Sequence, residues 1–293
     1  MIEELWIPLT LAAAFLQNLR SLLQKRLTGE LSANGASYVR FCFALPFALI
    51  YLGLLTAEGA LPPTGQEFWI YCLVGSLGQI VASACLLAAF TVRNFAVSTA
   101  LSKTEVVQAA VVGFLLLGDR VPTLAVAGIV LSLLGVLTLT STLRLGDFLQ
   151  ADRGLALGLL AGSGLAVAVV GFRGAALALP EGGVFLRAGF VLATALVIQT
   201  LVMGLYLWRR EPGQLMRVAR AWRGGLWVGL CGAAASVGWF TAMTLQSAAL
   251  VRALGQVELL FALLTSWFFF KEPLARRELA GVVLLLMGIY LLL

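Results

Sequence analysis

Apolar residues fill ten long blocks of this chain, at about 5–24, 35–56, 67–90, 95–117, 122–143, 154–178, 184–208, 223–246, 250–270 and 274–293. Short links carry most of the charged residues between them. A bilayer core of about 30 Å takes about 20 apolar residues as a helix. In lipid a helix satisfies its own backbone groups, whereas an open strand does not. The pattern therefore predicts an all-α membrane protein with ten transmembrane helices. The alternation of an outer-membrane barrel is absent. Pro122 and Pro273 are placed to open the fifth and tenth helices, where the missing N–H costs nothing. Pro46 falls inside the second block and predicts a kink there.

The blocks repeat. At an offset of 153 positions Ala96 maps onto Ala249, Ala100 onto Ala253, Leu101 onto Leu254, Glu105 onto Glu258, Asp119 onto Glu272, Gly128 onto Gly281 and Gly135 onto Gly288. Arg20 and Arg173, and Ser83 and Ser236, keep the same offset. Tyr38-Val-Arg40 matches Phe185-Leu-Arg187 at 147, because a link in the second half is shorter. Two homologous repeats of five helices follow, 1–145 and 150–293.

Charge orients them. Thirteen lysines and arginines lie in alternate links, including Lys25, Arg26, Arg209, Arg210, Arg217 and Arg220, and the other links hold only Arg120. The positive-inside rule places the basic set in the cytoplasm and both termini outside. Five helices is an odd number, so the second repeat enters the membrane upside down. Corresponding links carry opposite charge bias, as inversion requires. Inverted repeats are the hallmark of carriers that alternate between two states around a midplane site.

The segment Phe95–Leu139 and its copy Ala248–Leu293 resemble the EamA domain of the drug/metabolite transporter superfamily. Glu105 and Glu258 match its mid-helix glutamate. Gly118-Asp119 and Lys271-Glu272-Pro273 match its turn, and Arg40 and Arg187 match an arginine that often opens the second helix of each half. The family's proline after the glutamate is missing, with Val106 and Leu259 in its place, so the family's kink is not predicted here. The resemblance implies a ten-helix secondary carrier, often an exporter of amino acids or related metabolites.

Glu105 and Glu258 fall near the middle of their blocks, about 15 Å from the helix start for Glu105 at 1.5 Å per residue. A charge facing lipid there costs about 3 kcal/mol or more, so each must face protein or water. Two roles stand open: binding a substrate ammonium group or a coupling proton, or bridging helices structurally. Ser98, Ser102, Glu105 and Gln108 form one stripe at helical spacing. Lys103 points away from it, toward a carboxylate on another helix or an anionic group, and its counterpart in the copy is the neutral Gln256. Gln17, Asn18, Gln79 and Ser83 are further candidates for a pathway, and Trp239 for stacking on a flat substrate. Arg20, Arg173, Arg40, Arg187 and Arg252 read as gating or anchoring residues. Gly154, Gly158 and Gly162 form a small-residue stripe suited to close helix packing, with the chain expected to be a monomer.

Composition narrows the class. The chain is 61% hydrophobic and 12% charged, against roughly 25% charged in soluble domains, and its mean hydropathy is +0.99. It has no histidine, which removes histidine triads, histidine metal ligands and histidine proton relays. Its four cysteines lie in apolar blocks with no C-x-x-C spacing. No phosphate-binding loop or nucleophile elbow occurs. The expectation is a protein of the bacterial inner membrane with no cofactor, no metal and no nucleic-acid partner. It is not an enzyme but a gradient- or exchange-driven carrier of a small polar metabolite in contact with membrane lipid. Carriage of a lipid-linked substrate, for which Arg252 is a candidate contact, and uptake of an organic cation or sugar are the alternatives.

Overall fold

The computed structural model describes residues 3–27, 29, 31–57, 60–89, 95–139, 153–270 and 275–293. The helix start expected at Pro273, the Lys271-Glu272-Pro273 turn, and Arg93 and Arg144 lie outside them, as do the side chains of Lys25, Arg26 and residues 267–270. Every regular element among the described residues is helical. In chain order these are α1 (Trp6–Leu27), α2 (Ala33–Cys42), α3 (Ala44–Leu55), α4 (Gln66–Ala89), α5 (Phe95–Ser102), α6 (Glu105–Leu117), α7 (Thr123–Leu139), α8 (Arg153–Leu177), α9 (Val184–Arg210), α10 (Gln214–Arg220), α11 (Trp222–Leu245), α12 (Ala248–Gly255), α13 (Glu258–Phe270) and α14 (Arg276–Leu292).

Among the described residues, seven helical stretches are long and apolar enough to cross a membrane: Ala33–Leu55, Gln66–Ala89, Ser98–Leu117, Arg153–Leu177, Val184–Arg210, Trp222–Leu245 and Ala248–Thr265. Helices α1, α7 and α14 occupy the other three apolar blocks and stand outside that set. Large apolar side chains point outward, with Leu54 73%, Leu115 71% and Leu201 68% exposed. A soluble monomer rarely shows contiguous apolar patches, whereas lipid covers such a surface without penalty. Trp69, Trp222 and Trp227 are exposed near helix ends, where an indole meets the membrane–water interface.

The second block is two helices, because α2 stops at Cys42 and α3 begins at Ala44. Pro46 has no N–H to give the Cys42 carbonyl, and its ring crowds that oxygen. The Phe43 carbonyl lies directly against Gly229 of α11, where a Cβ would collide with it.

The chain forms two compact units, one of Met1–Ile80 with Gly171–Gln246, the other of Val81–Val170 with Ser247–Leu293. Each draws on both halves of the sequence repeat. In the first, α11 packs along α1: a Cβ at Gly238 would lie 3.1 Å from the Leu9 carbonyl, and one at Gly232 would lie 3.2 Å from the Arg20 side chain. In the second, α7 packs along α14 in the opposite direction. A Cβ at Gly128 would lie 2.7 Å from the Gly288 carbonyl, and one at Gly135 would lie 2.9 Å from that of Gly281. These four glycines are two repeat-related pairs, and bare backbone at each lets the two helices touch.

Candidate functional site

Both blocks that carry the central glutamates are broken, and at the same place. In the first, Lys103 N–H donates to the Ala100 carbonyl at 3.1 Å and Thr104 N–H to the Leu101 carbonyl at 3.1 Å. In the second, Gln256 N–H donates to Ala253 at 3.2 Å and Val257 N–H to Leu254 at 3.1 Å. Each is a tightened i→i−3 turn in place of the helical i→i−4 bond, and the two coincide at the offset of 153 positions. Helices expected to run through 95–117 and 250–270 are thus interrupted without a proline. The local causes differ. In the first half the Ser102 hydroxyl donates to Thr99 at 2.7 Å and the Thr104 hydroxyl to Leu101 at 2.6 Å, and such back-bonding bends helices. In the second half Gly255 stands at the break, and glycine weakens a helix interior.

Each break starts a new helix whose first residue is the glutamate. Carboxylates are favoured at a helix N-terminus, where backbone N–H groups point outward. Each also takes a cation from the other half of the sequence. Lys103 Nζ lies 2.6 Å from Glu258 Oε1. Arg252 Nε donates to Glu105 Oε1 at 3.0 Å, and Arg252 Nη2 donates to the same oxygen. Both pairs lie inside the second unit. The Glu105 side chain is 3% exposed and that of Glu258 16%. The cations do not occupy equivalent repeat positions: Lys103 corresponds to Gln256 and Arg252 to Thr99. The pairing is crossed while its chemistry is asymmetric, a guanidinium on one side and an ammonium on the other. Glu105 Oε2 and both amide atoms of the buried Gln256 make no hydrogen bond among the described residues.

Ser98 and Gln108 of the predicted stripe are held by helix α8. Ser98 donates to the Gly154 carbonyl at 2.7 Å. Gln108 donates to the Thr104 hydroxyl at 2.9 Å and accepts from Ser163 at 2.6 Å. The glycine stripe of α8 makes this approach possible. A Cβ at Gly158 would stand 2.6 Å from the Ser98 carbonyl, and one at Gly162 3.0 Å from the Gln108 amide. The stripe therefore seats the broken helix within the chain.

The first unit holds the other cluster, around a cavity of about 40 Å³. Arg20 of α1, Arg40 and Phe41 of α2, Gln79 of α4, Gln199 of α9, and Ser236 and Phe240 of α11 line it, with Gly232 and three aliphatic residues of α9. Gln199, 1% exposed, donates to Gln79 at 2.6 Å. The Arg40 guanidinium sits 4.5 Å from the centre of the Phe41 ring, a cation–π arrangement. Phe240 stacks on Phe172 at 4.7 Å. Beside it the Trp239 indole N–H donates to Gln17 at 3.1 Å.

Arg20 and Arg173 share the repeat offset but not the task. Arg173 donates to the Met243 and Gln246 carbonyls, each at 2.7 Å, and so caps the C-terminal end of α11. Asn18 is half-buried on α1 and Ser83 half-buried on α4. Arg187 is half-buried near the start of α9, and its Nε makes no hydrogen bond among the described residues. Sequence reasoning passed over Gln199 and Ser163. Gln199 had a signal, a lone amide inside an apolar helix. Ser163 had none beyond its place beside the glycine stripe.

The EamA-like transporter family model matches residues 4–141 and again 153–293. The chain belongs to that family, as two EamA repeats in an integral membrane protein, and the family indicates a membrane transporter. A solved structure described as "Crystal structure of protein" is similar, with a TM-score of 0.70 over 98% of this chain and 95% of that one at 18% identity; at that identity the likeness is one of fold. None of the curated proteins compared matches the sequence.

Proposed function

We propose that this chain is a secondary active carrier of small polar metabolites, working by alternating access, with export of amino acids or related compounds as its activity. The observation that carries this reading is the pair of matched helix breaks, each opening on a glutamate paired with a cation from the opposite half. Interrupted helices at corresponding positions of two repeats are where carriers of this architecture build their sites.

Ten membrane crossings in two inverted repeats, 1–145 and 150–293, complete the reading. Repeat-equivalent helices α7 and α14 run in opposite directions, which supports inversion. The basic links favour cytoplasmic loops with both termini outside, in a bacterial inner membrane. The chain acts as a monomer, and its energy comes from a proton gradient or exchange. Arg252, the residue suited to a lipid-linked head group, is already engaged by Glu105, which weighs against that alternative. No catalytic role is assigned.

The test is counterflow with purified protein in liposomes, offering a labelled mixture of amino acids and small metabolites with and without a pH gradient. Accumulation of a few compounds, dependent on the loaded partner or the gradient, is the expected result. No movement of any soluble compound by folded protein would overturn the carrier reading.

A further inference from the structure

The first turns of α11 present two adjoining faces. One is bare backbone pressed against the α2–α3 break: a Cβ at Gly225 would meet the Phe43 ring at 2.6 Å, and one at Gly229 would strike the Phe43 carbonyl. On the other, Trp222, Leu226 and Leu230 recur at four-residue spacing, with Arg223 and Trp227 beside them, so all five share one side of the helix. Together with Phe47 of α3 they line an open groove of about 430 Å³. We propose that this groove seats an anionic phospholipid, its phosphate on Arg223 and an acyl chain along Leu226, Trp227 and Leu230.

The groove has the polarity of that molecule. Arg223 is the one charged residue of the lining and stands in the first turn of α11; the rest is aliphatic or aromatic. Leu230 lies seven residues further on, about 10 Å at 1.5 Å per residue. A charged mouth therefore leads into an apolar floor. Trp222 and Trp227 are 50% and 62% exposed, and outward indoles near a helix end mark the head-group level. The Arg223 guanidinium lies over the Trp222 ring, 5.5 Å from its centre. Such stacking uses the flat face of the guanidinium, whereas a phosphate edge is met by the in-plane N–H fork.

Shape and charge argue for a selected lipid rather than general bilayer contact. A flat apolar wall accepts any chain, but this volume falls within the roughly 300–1,000 Å³ of ligand clefts. No carboxylate lines it. Between the end of α9 and the start of α11, Arg209, Arg210, Arg217, Arg220 and Arg223 face one glutamate, Glu211, which accepts from Ser32 and Asn34. Clustered arginines beside a membrane-crossing helix attract anionic head groups, and a zwitterionic head would bring an ammonium into the same field. The site lies wholly on α3 and α11 of the first unit and does not depend on what the chain carries.

The experiment uses the full chain, delipidated in uncharged detergent at constant ionic strength. Native mass spectrometry follows binding of dioleoyl phosphatidylglycerol, phosphatidylethanolamine and phosphatidylcholine, with glycerol 3-phosphate as the probe without chains. Saturable binding of phosphatidylglycerol, about tenfold tighter than either zwitterionic lipid, is expected, the scale of one hydrogen bond to a charged group. Arg223→Gln is expected to remove that preference. Arg209→Gln deletes an equal charge outside the groove and is expected to keep it. Trp227→Ala, at an exposed position that leaves the fold intact, is expected to weaken all three lipids. Equal binding of the three lipids, a preference that survives Arg223→Gln or falls equally in Arg209→Gln, or equally tight binding of glycerol 3-phosphate would overturn the proposal. A lipid-independent dimer that Trp227→Ala dissociates would also overturn it, by giving the groove to a second copy of the chain.

Discussion

Arg252→Met is expected to lower stability by about 3–5 kcal/mol, because it strands a buried carboxylate. The Glu105 side chain is 3% exposed, and its Oε2 makes no hydrogen bond among the described residues, so Arg252 on Oε1 supplies its compensation. Removing both charges in Arg252→Met/Glu105→Leu is expected to recover most of the loss, since a buried ion pair replaced by apolar groups is often neutral. The four proteins form a thermodynamic cycle, read as midpoints of denaturant unfolding in detergent micelles. The Lys103–Glu258 pair, with side chains 17% and 16% exposed, is expected to show a smaller coupling, because solvent screens it. Losses that simply add in the double variant would mean that Arg252 and Glu105 do not depend on each other.

Gly135→Val carries the second large effect. A Cβ there would meet the Leu285 nitrogen at 2.6 Å and the Gly281 carbonyl at 2.9 Å. These are backbone atoms of α14 that cannot swing aside, so the helices must separate along their length. A loss of about 3 kcal/mol or more is expected, at the upper end of what overpacking costs. Gly53→Ala is the internal comparison. It lies inside α3 with nothing within 4 Å of where the new methyl would stand, and the better helix propensity of alanine leaves it neutral or slightly stabilised. Equal stability of Gly135→Val and Gly53→Ala would contradict the close α7–α14 crossing.

The helical architecture was legible because length and apolarity speak directly to the bilayer, and the duplication because Glu105, Glu258 and the paired glycines keep one spacing. The glutamate breaks were not. Absence of the family's proline pointed to unbroken helices, whereas Ser102 and Thr104 back-bonding and Gly255 produce the turn by other means. The ion pairs were half legible. Lys103 was placed off the polar stripe and toward another helix, but a linear sequence does not say that its partner is Glu258. Arg252 read as a gating or anchoring residue because its partner Glu105 lies 147 positions away. The arginine-lined cavity was hidden most completely. Arg20 and Arg40 sit near the ends of their apolar blocks, which mimics snorkelling, and Gln199 gains meaning only when Gln79 stands 2.6 Å from it.

A carrier must expose its interior to each side of the membrane in turn, and Ser236 offers the most direct view of this, since it lines the first unit's cavity. A single Ser236→Cys variant, with Cys42, Cys72, Cys85 and Cys231 replaced, would be exposed to a membrane-impermeant thiol reagent from each side of oriented vesicles. Alternating access predicts labelling from both sides, slowed on both by a bound substrate. Labelling from one side alone, whatever is bound, would contradict it.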